Sequence, residues 1–187
     1  MMGTSYYENI SSLLEIICII NPSSILDIGC GQGNYGFLSK NFLQSLHTLD
    51  GIDIWRPYTE KLEIFYTKIY TGNIKEILST CGKYDLVLLI DVLEHFNEKD
   101  GKNILYEAMK HGINVLISVP KDNGNQKDLD GNPYQEHIYQ WKKNDFKLPK
   151  SYIISNKRSW IIIQGNNWYK FHPIFKVINS VYNKFKN

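Results

Sequence analysis

Residues 23–37, SSILDIGCGQGNYGF, form a short apolar run that reaches an acid, Asp27, and then places four glycines, at 29, 31, 33 and 36, within eight residues. An apolar strand delivered into such a loop, with helical spacing after it, is the entry to an open α/β sheet, in which ligands bind beyond the carboxyl ends of the strands where strand order reverses. Glycine there lets the backbone approach a ligand whose space a larger side chain would fill. The rest of the chain keeps the alternation: strands near 24–29, 48–53, 66–70, 84–90 and 113–119, and helical patterns over 34–44, 57–65, 73–79 and 98–110. Strands alternating with helices predict a parallel sheet covered on both faces. Ahead of the sheet, Ser5 and Glu8 have capping-box spacing, and Ile10, Leu13, Leu14, Ile17 and Ile20 recur at helical intervals up to Asn21-Pro22. After it, 151–155 and 159–164 are two β-rich runs around Asn156-Lys157-Arg158, an antiparallel hairpin by pattern.

Two nucleotide patterns overlap in the glycine loop. Asp27-x-Gly29-x-Gly31-x-Gly33 suits S-adenosylmethionine (SAM), whereas Gly31-x-Gly33-x-x-Gly36 suits a dinucleotide. Asp53, twenty residues after Gly33 at the end of the next strand, can accept both hydroxyls of a ribose in either case. Asp27 separates them: a carboxylate there attracts the ammonium of a methionine moiety and repels a pyrophosphate. A dehydrogenase would also need a proton relay. Tyr106-x-x-x-Lys110 matches one in letters only, without the upstream serine, and reads as a chance match in a surface helix.

Composition limits the alternatives. With 187 residues, 43% hydrophobic and 21% charged, the chain has ordinary globular composition and the length for one domain, read as an N-terminal helix (1–20), a core (21–164) and a basic amphipathic tail (165–187). The longest apolar runs fall far short of the ~20 residues that span a bilayer. Glu8 and Glu15 interrupt the N-terminal apolar stretch, which argues against a signal peptide and for a cytoplasmic location. Three cysteines, Cys18, Cys30 and Cys81, without paired spacing, read as reduced thiols.

The pieces ILDIGCGQGNYG, GIDIW, TGNIKEI, YDLVLLIDVLEHF and NVLISVP, in that order, resemble the class I SAM-dependent methyltransferases over residues 20–165. The resemblance implies a Rossmann-like, doubly wound, three-layer α/β/α fold with a seven-stranded sheet whose last strand runs antiparallel. It further implies that Asp27, Gly29, Gly31 and Gly33 wrap the methionine end of SAM, Asp53 holds the ribose, Ile54 packs on the adenine, Asn73 meets the adenine amino group and Asp91 borders the methyl group. Many members carry Asp where this chain has Asn73.

DVLEHF sets Asp91, Glu94 and His95 within five residues, and NPYQEHIYQW supplies His137. In the ubiquinone-biosynthesis-like O-methyltransferases, which DVLEHF looks like, His95 would take the acceptor's hydroxyl proton, a task suited to imidazole. An acid-x-x-Glu-His group joined by a later His is also similar to the small-RNA 2'-O-methyltransferases, where a divalent ion lies between enzyme and sugar hydroxyls. On that likeness Asp91, Glu94, His95 and His137 would hold Mg²⁺ or Mn²⁺. Asp91 is one methylene shorter than the Glu of that pattern. Equally, the acids and histidines could be solvated or satisfied by backbone. The turn-rich segment 121–139 reads as a lid carrying Tyr134 and His137 towards the acceptor.

Charge is segregated: residues 140–187 hold ten lysines and arginines against Asp145 alone, and residues 1–139 hold eleven against eighteen acids. With Trp141, Trp160, Trp168, Tyr169, Phe171 and Phe175 interleaved, this end could meet nucleic acid or an anionic membrane surface, or be a solvated face over core aromatics. Ile174, Ile178, Val181 and Phe185 share one helical face. Only two of the whole chain's 21 lysines and arginines are arginines, which disfavours RNA. The reading is a SAM-dependent methyltransferase acting on a small-molecule or saccharide acceptor, at oxygen; the alternatives are a metal-assisted RNA 2'-O-methyltransferase and a cofactor-binding partner subunit without catalysis.

Overall fold

The computed structural model describes residues 7–124, 126–127 and 131–171. Ser5, and the tail face from Ile174 to Phe185, lie outside the described residues. Seven strands form one sheet: β1 (Ser24–Ile28), β2 (Thr48–Asp53), β3 (Lys68–Thr71), β4 (Tyr84–Ile90), β5 (Gly112–Pro120), β6 (Ser151–Ser155) and β7 (Ser159–Gly165). Their order is β3-β2-β1-β4-β5-β7-β6, with β7 antiparallel to both of its neighbours and the other pairs parallel. The chain reverses direction across the sheet between β1 and β4, so their carboxyl ends flank the opening where a ligand fits.

Helices cover both faces. On one side α1 (Tyr7–Ile20) buries Leu13, Ile16, Ile17 and Ile20, the spacing of one helical stripe, beside Tyr35 of α2 (Asn34–Phe42). Asn21, left-handed at φ 50°, closes α1 by donating its N–H to the Ile17 carbonyl at 2.9 Å, and Pro22 prevents continuation. On the other side α4 (Ile74–Leu78) and α5 (Glu98–His111) bury Ile74, Leu78, Ile104, Leu105 and Ala108. Asn73 and Asn97 cap these two helices, each accepting through Oδ1 from a backbone N–H, that of Lys75 at 3.0 Å and that of Asp100 at 2.9 Å.

The expected helix over 57–65 is two pieces, α3 (Arg56–Thr59) and a 3₁₀ turn at Leu62–Ile64. Ile64 to Thr67 are β-branched or aromatic and poor in helices, and the chain must already be extended at Lys68 to pair with β2.

In α5 the backbone of Gly101 lies against Trp141: a Cβ there would sit 2.5 Å from the indole Cζ2. Trp141 is fully buried and packs on Tyr139 and Phe146, with ring centroids at 5.1 and 5.4 Å. In an open helix Gly→Ala stabilises by about 1 kcal/mol. Here Gly101→Ala is expected to destabilise by about 1–3 kcal/mol through overpacking, read as a lower urea midpoint at unchanged slope. A raised midpoint would mean that Trp141 yields.

Candidate active site

The loop leaving β1 opens a cleft of about 740 Å³ at the carboxyl end of the sheet, lined among others by Asp27, Gly31, Asp53, Ile54, Asn73 and Asp91. Gly29, Gly31 and Gly33 all have positive φ, at 67°, 54° and 78°, which explains three glycines in five residues. Their surroundings differ. A Cβ on Gly29 would strike Val92 at 2.5 Å and one on Gly33 would strike Leu62 at 2.8 Å, so these two glycines serve packing. Around Gly31 the nearest atom is 4.0 Å away, and its missing side chain leaves space facing the cleft.

Asp53 fixes this loop to β2. One carboxylate oxygen accepts from the N–H of Gly31 and the other from that of Trp55, each at 2.8 Å, and these bonds oppose the rise in pKa that burial causes. Asp27, only 3% exposed, accepts from the Tyr66 hydroxyl at 2.6 Å. Burial raises its pKa to about 7, the Tyr66 hydrogen bond opposing and the Asp53 charge adding to the rise. A buried carboxylate this reluctant to ionise fits a cationic ligand group, and a cradle left open by Gly31 fits a nucleoside beside it.

If Asp27 meets the ammonium of the cofactor, binding is expected to depend on pH. Because the folded pKa lies above the ordinary 3.8, ligand-free stability falls as pH rises from about 4 to 7, where the unfolded chain is ionised and the folded one is not. An ammonium meeting Asp27 favours the ionised form, so S-adenosylhomocysteine (SAH) affinity should climb with pH up to about 7 and then level. Below pH 7 its binding should release a proton, seen as buffer-dependent heat in calorimetry. Flat affinity between pH 5.5 and 8 would remove Asp27 from that role.

Beyond the end of β4, Asp91 is left-handed at φ 54° and accepts through Oδ1 from the Ser118 hydroxyl at 2.9 Å. A 3₁₀ turn at Leu93–His95 follows. Glu94 is 1% exposed, and its Oε2 is buried with no hydrogen-bond partner. Burial, reinforced by the Asp91 charge, lifts its pKa well above the usual range. Such an atom needs a proton or a cation.

The downstream segment brings His137 to it. The Glu94 carbonyl accepts from the N–H groups of Ile138 at 2.7 Å and Tyr139 at 3.2 Å, while His95 Nδ1 bonds the Glu136 carbonyl at 3.0 Å and His137 Nδ1 the Asn123 carbonyl at 2.9 Å. A carbonyl can only accept, so each Nδ1 carries the proton and Nε2 is the ring's acceptor atom, although the Asp91 carbonyl also bears on the His95 ring. The rings stand edge to face, 5.0 Å apart, and one ligand atom each from Glu94, His95 and His137 lies within 4.8 Å of the others. Burial lowers the pKa of His137 and brings that of His95 to about 4, so both are neutral near pH 7. One carboxylate oxygen and two imidazoles tied through their other nitrogens are a donor set that fits a divalent ion of the Mn²⁺ type.

The fourth residue expected in that set, Asp91, is not in the group: its shorter side chain on a left-handed residue is held against Ser118. The expected lid is also different. Where described, 121–139 is a wall tied down by Asn123 on Gln140 (2.7 Å) and Gln126 on the Gln135 carbonyl (2.8 Å), besides the Glu94 bonds. It carries Tyr134 to within 6.3 Å of the Trp55 ring, so an aromatic pair stands above the cleft. Tyr66, Trp55 and Arg158 are site residues that sequence spacing did not single out; only the last carries a signal, as one of two arginines.

Residues 4–147 match the methyltransferase-domain family, and the chain belongs to it as a class I SAM-dependent methyltransferase. The chain is 29% identical over 91% of its length to an uncharacterized protein of Methanocaldococcus jannaschii, of which it covers 69%. It is 22% identical over 86% of its length to the small RNA 2'-O-methyltransferase of Arabidopsis thaliana, spanning only 18% of that enzyme. Similar folds include the methyltransferase domain of bacterial CtHen1 (16% identity, TM-score 0.59, 84% of this chain and 97% of that one). The N-terminal domain of EvdMO1, solved in the presence of SAH and D-fucose, is another (11%, 0.62, 87% and 84%). No helix among the described residues is long and apolar enough to cross a membrane.

Proposed function

We propose that this chain is a metal-assisted O-methyltransferase whose acceptor is the terminal ribose of an RNA, methylated at its 2'-hydroxyl. The observation that carries the reading is the group of Glu94, His95 and His137, with an orphaned carboxylate oxygen and both imidazoles fixed to present Nε2. Glu94, His95 and His137 supply three of the four residues of the small-RNA 2'-O-methyltransferase pattern, and the chain is similar in sequence to the small RNA 2'-O-methyltransferase of Arabidopsis thaliana.

Asp27 and Asp53 would hold the ammonium and ribose of SAM, and Gly31 would leave room for the nucleoside, with Ile54 and Asn73 along the cleft at its adenine side. SAM supplies a methyl group on a sulfonium, transferred in line as the C–O bond forms and the C–S bond breaks. A divalent cation, when held by Glu94, His95 and His137, supplies orientation of the sugar hydroxyls and lowers the pKa of the attacking one. The protein itself forms no covalent intermediate. The cross-ties around Glu94 keep the donor atoms preorganised, and the buried, partly apolar cleft keeps nucleophile and methyl together away from water. The proton of the attacking hydroxyl passes to solvent as SAH leaves, because His95 and His137, when committed to the cation through Nε2, have no basic nitrogen left to take it.

A free saccharide, favoured from sequence, is the second reading, supported by the fold shared with the EvdMO1 domain solved with D-fucose. Labelled SAM offered with a 3'-hydroxyl oligoribonucleotide, the same oligonucleotide ending in a 2'-deoxy residue, and a panel of glycosides and phenols distinguishes them. Label in the first alone supports the RNA reading; label in glycosides alone supports the other. Bound SAH with no acceptor labelled would point to the non-catalytic subunit.

A further inference from the structure

Arg158 stands at the turn between β6 and β7, beside the carboxyl end of β5, where its carbonyl accepts from the N–H of Lys121 at 2.8 Å. Arg158 is among the residues that line the same cleft as Glu94, His95 and His137. The chain has one other arginine, Arg56, which pairs with Glu60 near the end of β2 and is not among the residues lining that cleft. The other lysine or arginine of the lining, Lys75, is held by Asp100 at 2.7 Å at the adenine side. A fork-shaped cation has therefore been placed at the acceptor end.

Arg158 Nε meets Glu8 Oε2 of α1 at 3.1 Å, with the two side chains 47% and 38% exposed. An ion pair this exposed holds loosely, so it orients the guanidinium without locking it away. Lys157 adjoins it in sequence, and the Lys121 and Lys143 ammonium groups lie 4.4 and 6.0 Å from the Trp160 ring on β7, whereas the cleft lining carries six acids against Lys75 and Arg158, so an anionic group entering it has few cations to meet. An acceptor that bears a sugar diol at the Glu94–His95–His137 group and a phosphate on the same sugar would meet both features in one cleft. Guanidinium planes match phosphate oxygens in a way lysine does not.

We propose that Arg158 binds the phosphodiester joining the acceptor's terminal nucleotide to the rest of the strand, with Glu8 as its partner when no acceptor is present. The inference rests on the reading of the acceptor as RNA. It is tested on the full chain with Mn²⁺ and SAM, using two oligoribonucleotides that differ only in the last linkage, a phosphodiester or an uncharged methylphosphonate. For the wild-type protein, neutralising that linkage should raise KM by about tenfold or more, the scale of one charge-assisted hydrogen-bonded contact. Arg158→Ala should raise KM on the phosphodiester by a similar factor, leave kcat and SAH affinity nearly unchanged, and lose nothing further on the methylphosphonate. Arg158→Lys should recover part of the loss. Equal losses on both oligonucleotides, or no loss, would overturn the assignment. If a nucleoside 5'-monophosphate is methylated with the same dependence on Arg158, and the oligonucleotides are not, the phosphate belongs to a mononucleotide and the strand linkage is refuted. If the wild-type protein methylates none of these while binding SAH, the RNA reading itself fails, and the phosphate role with it.

Discussion

Glu94→Gln is expected to lower turnover by about 10³-fold or more while leaving SAH affinity within about twofold, because loss of metal activation removes several kcal/mol of transition-state stabilisation. The substitution conserves shape, and the carbonyl of residue 94 still receives the N–H groups of Ile138 and Tyr139, so the wall stays in place. What changes is charge at an oxygen that has no hydrogen-bond partner. An amide in that apolar site is easier to bury than a carboxylate, so Glu94→Gln should be as stable as the parent or more so. Lost activity with retained stability separates a ligand from a structural acid. His137→Ala should behave similarly for turnover, again without loss of donor affinity. If both variants turn over normally, Glu94 and His137 are packing residues.

Asp53→Ala is expected to weaken SAH binding by about 10²-fold, since it removes a carboxylate acceptor from the position suited to a ribose and releases two backbone donors together. Those donors are the N–H groups of Gly31 and Trp55, so the glycine loop loses its tie to β2. Asp53→Asn retains the shape and one acceptor oxygen, and should lose less. Calorimetric titration with SAH reads both; equal affinity in Asp53→Ala and wild-type protein would place the nucleoside elsewhere.

The fold was legible because its signals are local. The glycine loop, the run YDLVLLI and the two β-rich runs after 150 each carry their own periodicity, and strand limits read from them fall within two residues of those observed. That Asp27, Gly31 and Asp53 would line one cleft was legible for the same reason, as they lie at or just beyond the ends of consecutive strands. What spacing could not disclose is contact across the sequence. Tyr66 reaches Asp27 from 39 residues away, and nothing in its neighbours marks it as a hydrogen-bond donor. Similarly, the union of His137 with Glu94 depends on two backbone bonds to the Glu94 carbonyl, which no side-chain pattern encodes. Asp91 failed to join that group because its reach, one methylene short as the letters already show, and its left-handed backbone, which no letter shows, direct it to Ser118. The break in the 57–65 helix arose from tertiary demand, the start of β3, over a weak local preference.

The most direct test of the account is turnover of chelator-stripped protein, with saturating SAM and a 3'-hydroxyl oligoribonucleotide, as Mn²⁺ is added back. The stripped protein is expected to show no turnover, saturable recovery with Mn²⁺, poorer recovery with Mg²⁺ because two of the donors are imidazoles, and no recovery in Glu94→Gln. Stripped protein that methylates as fast as untreated protein would contradict this expectation.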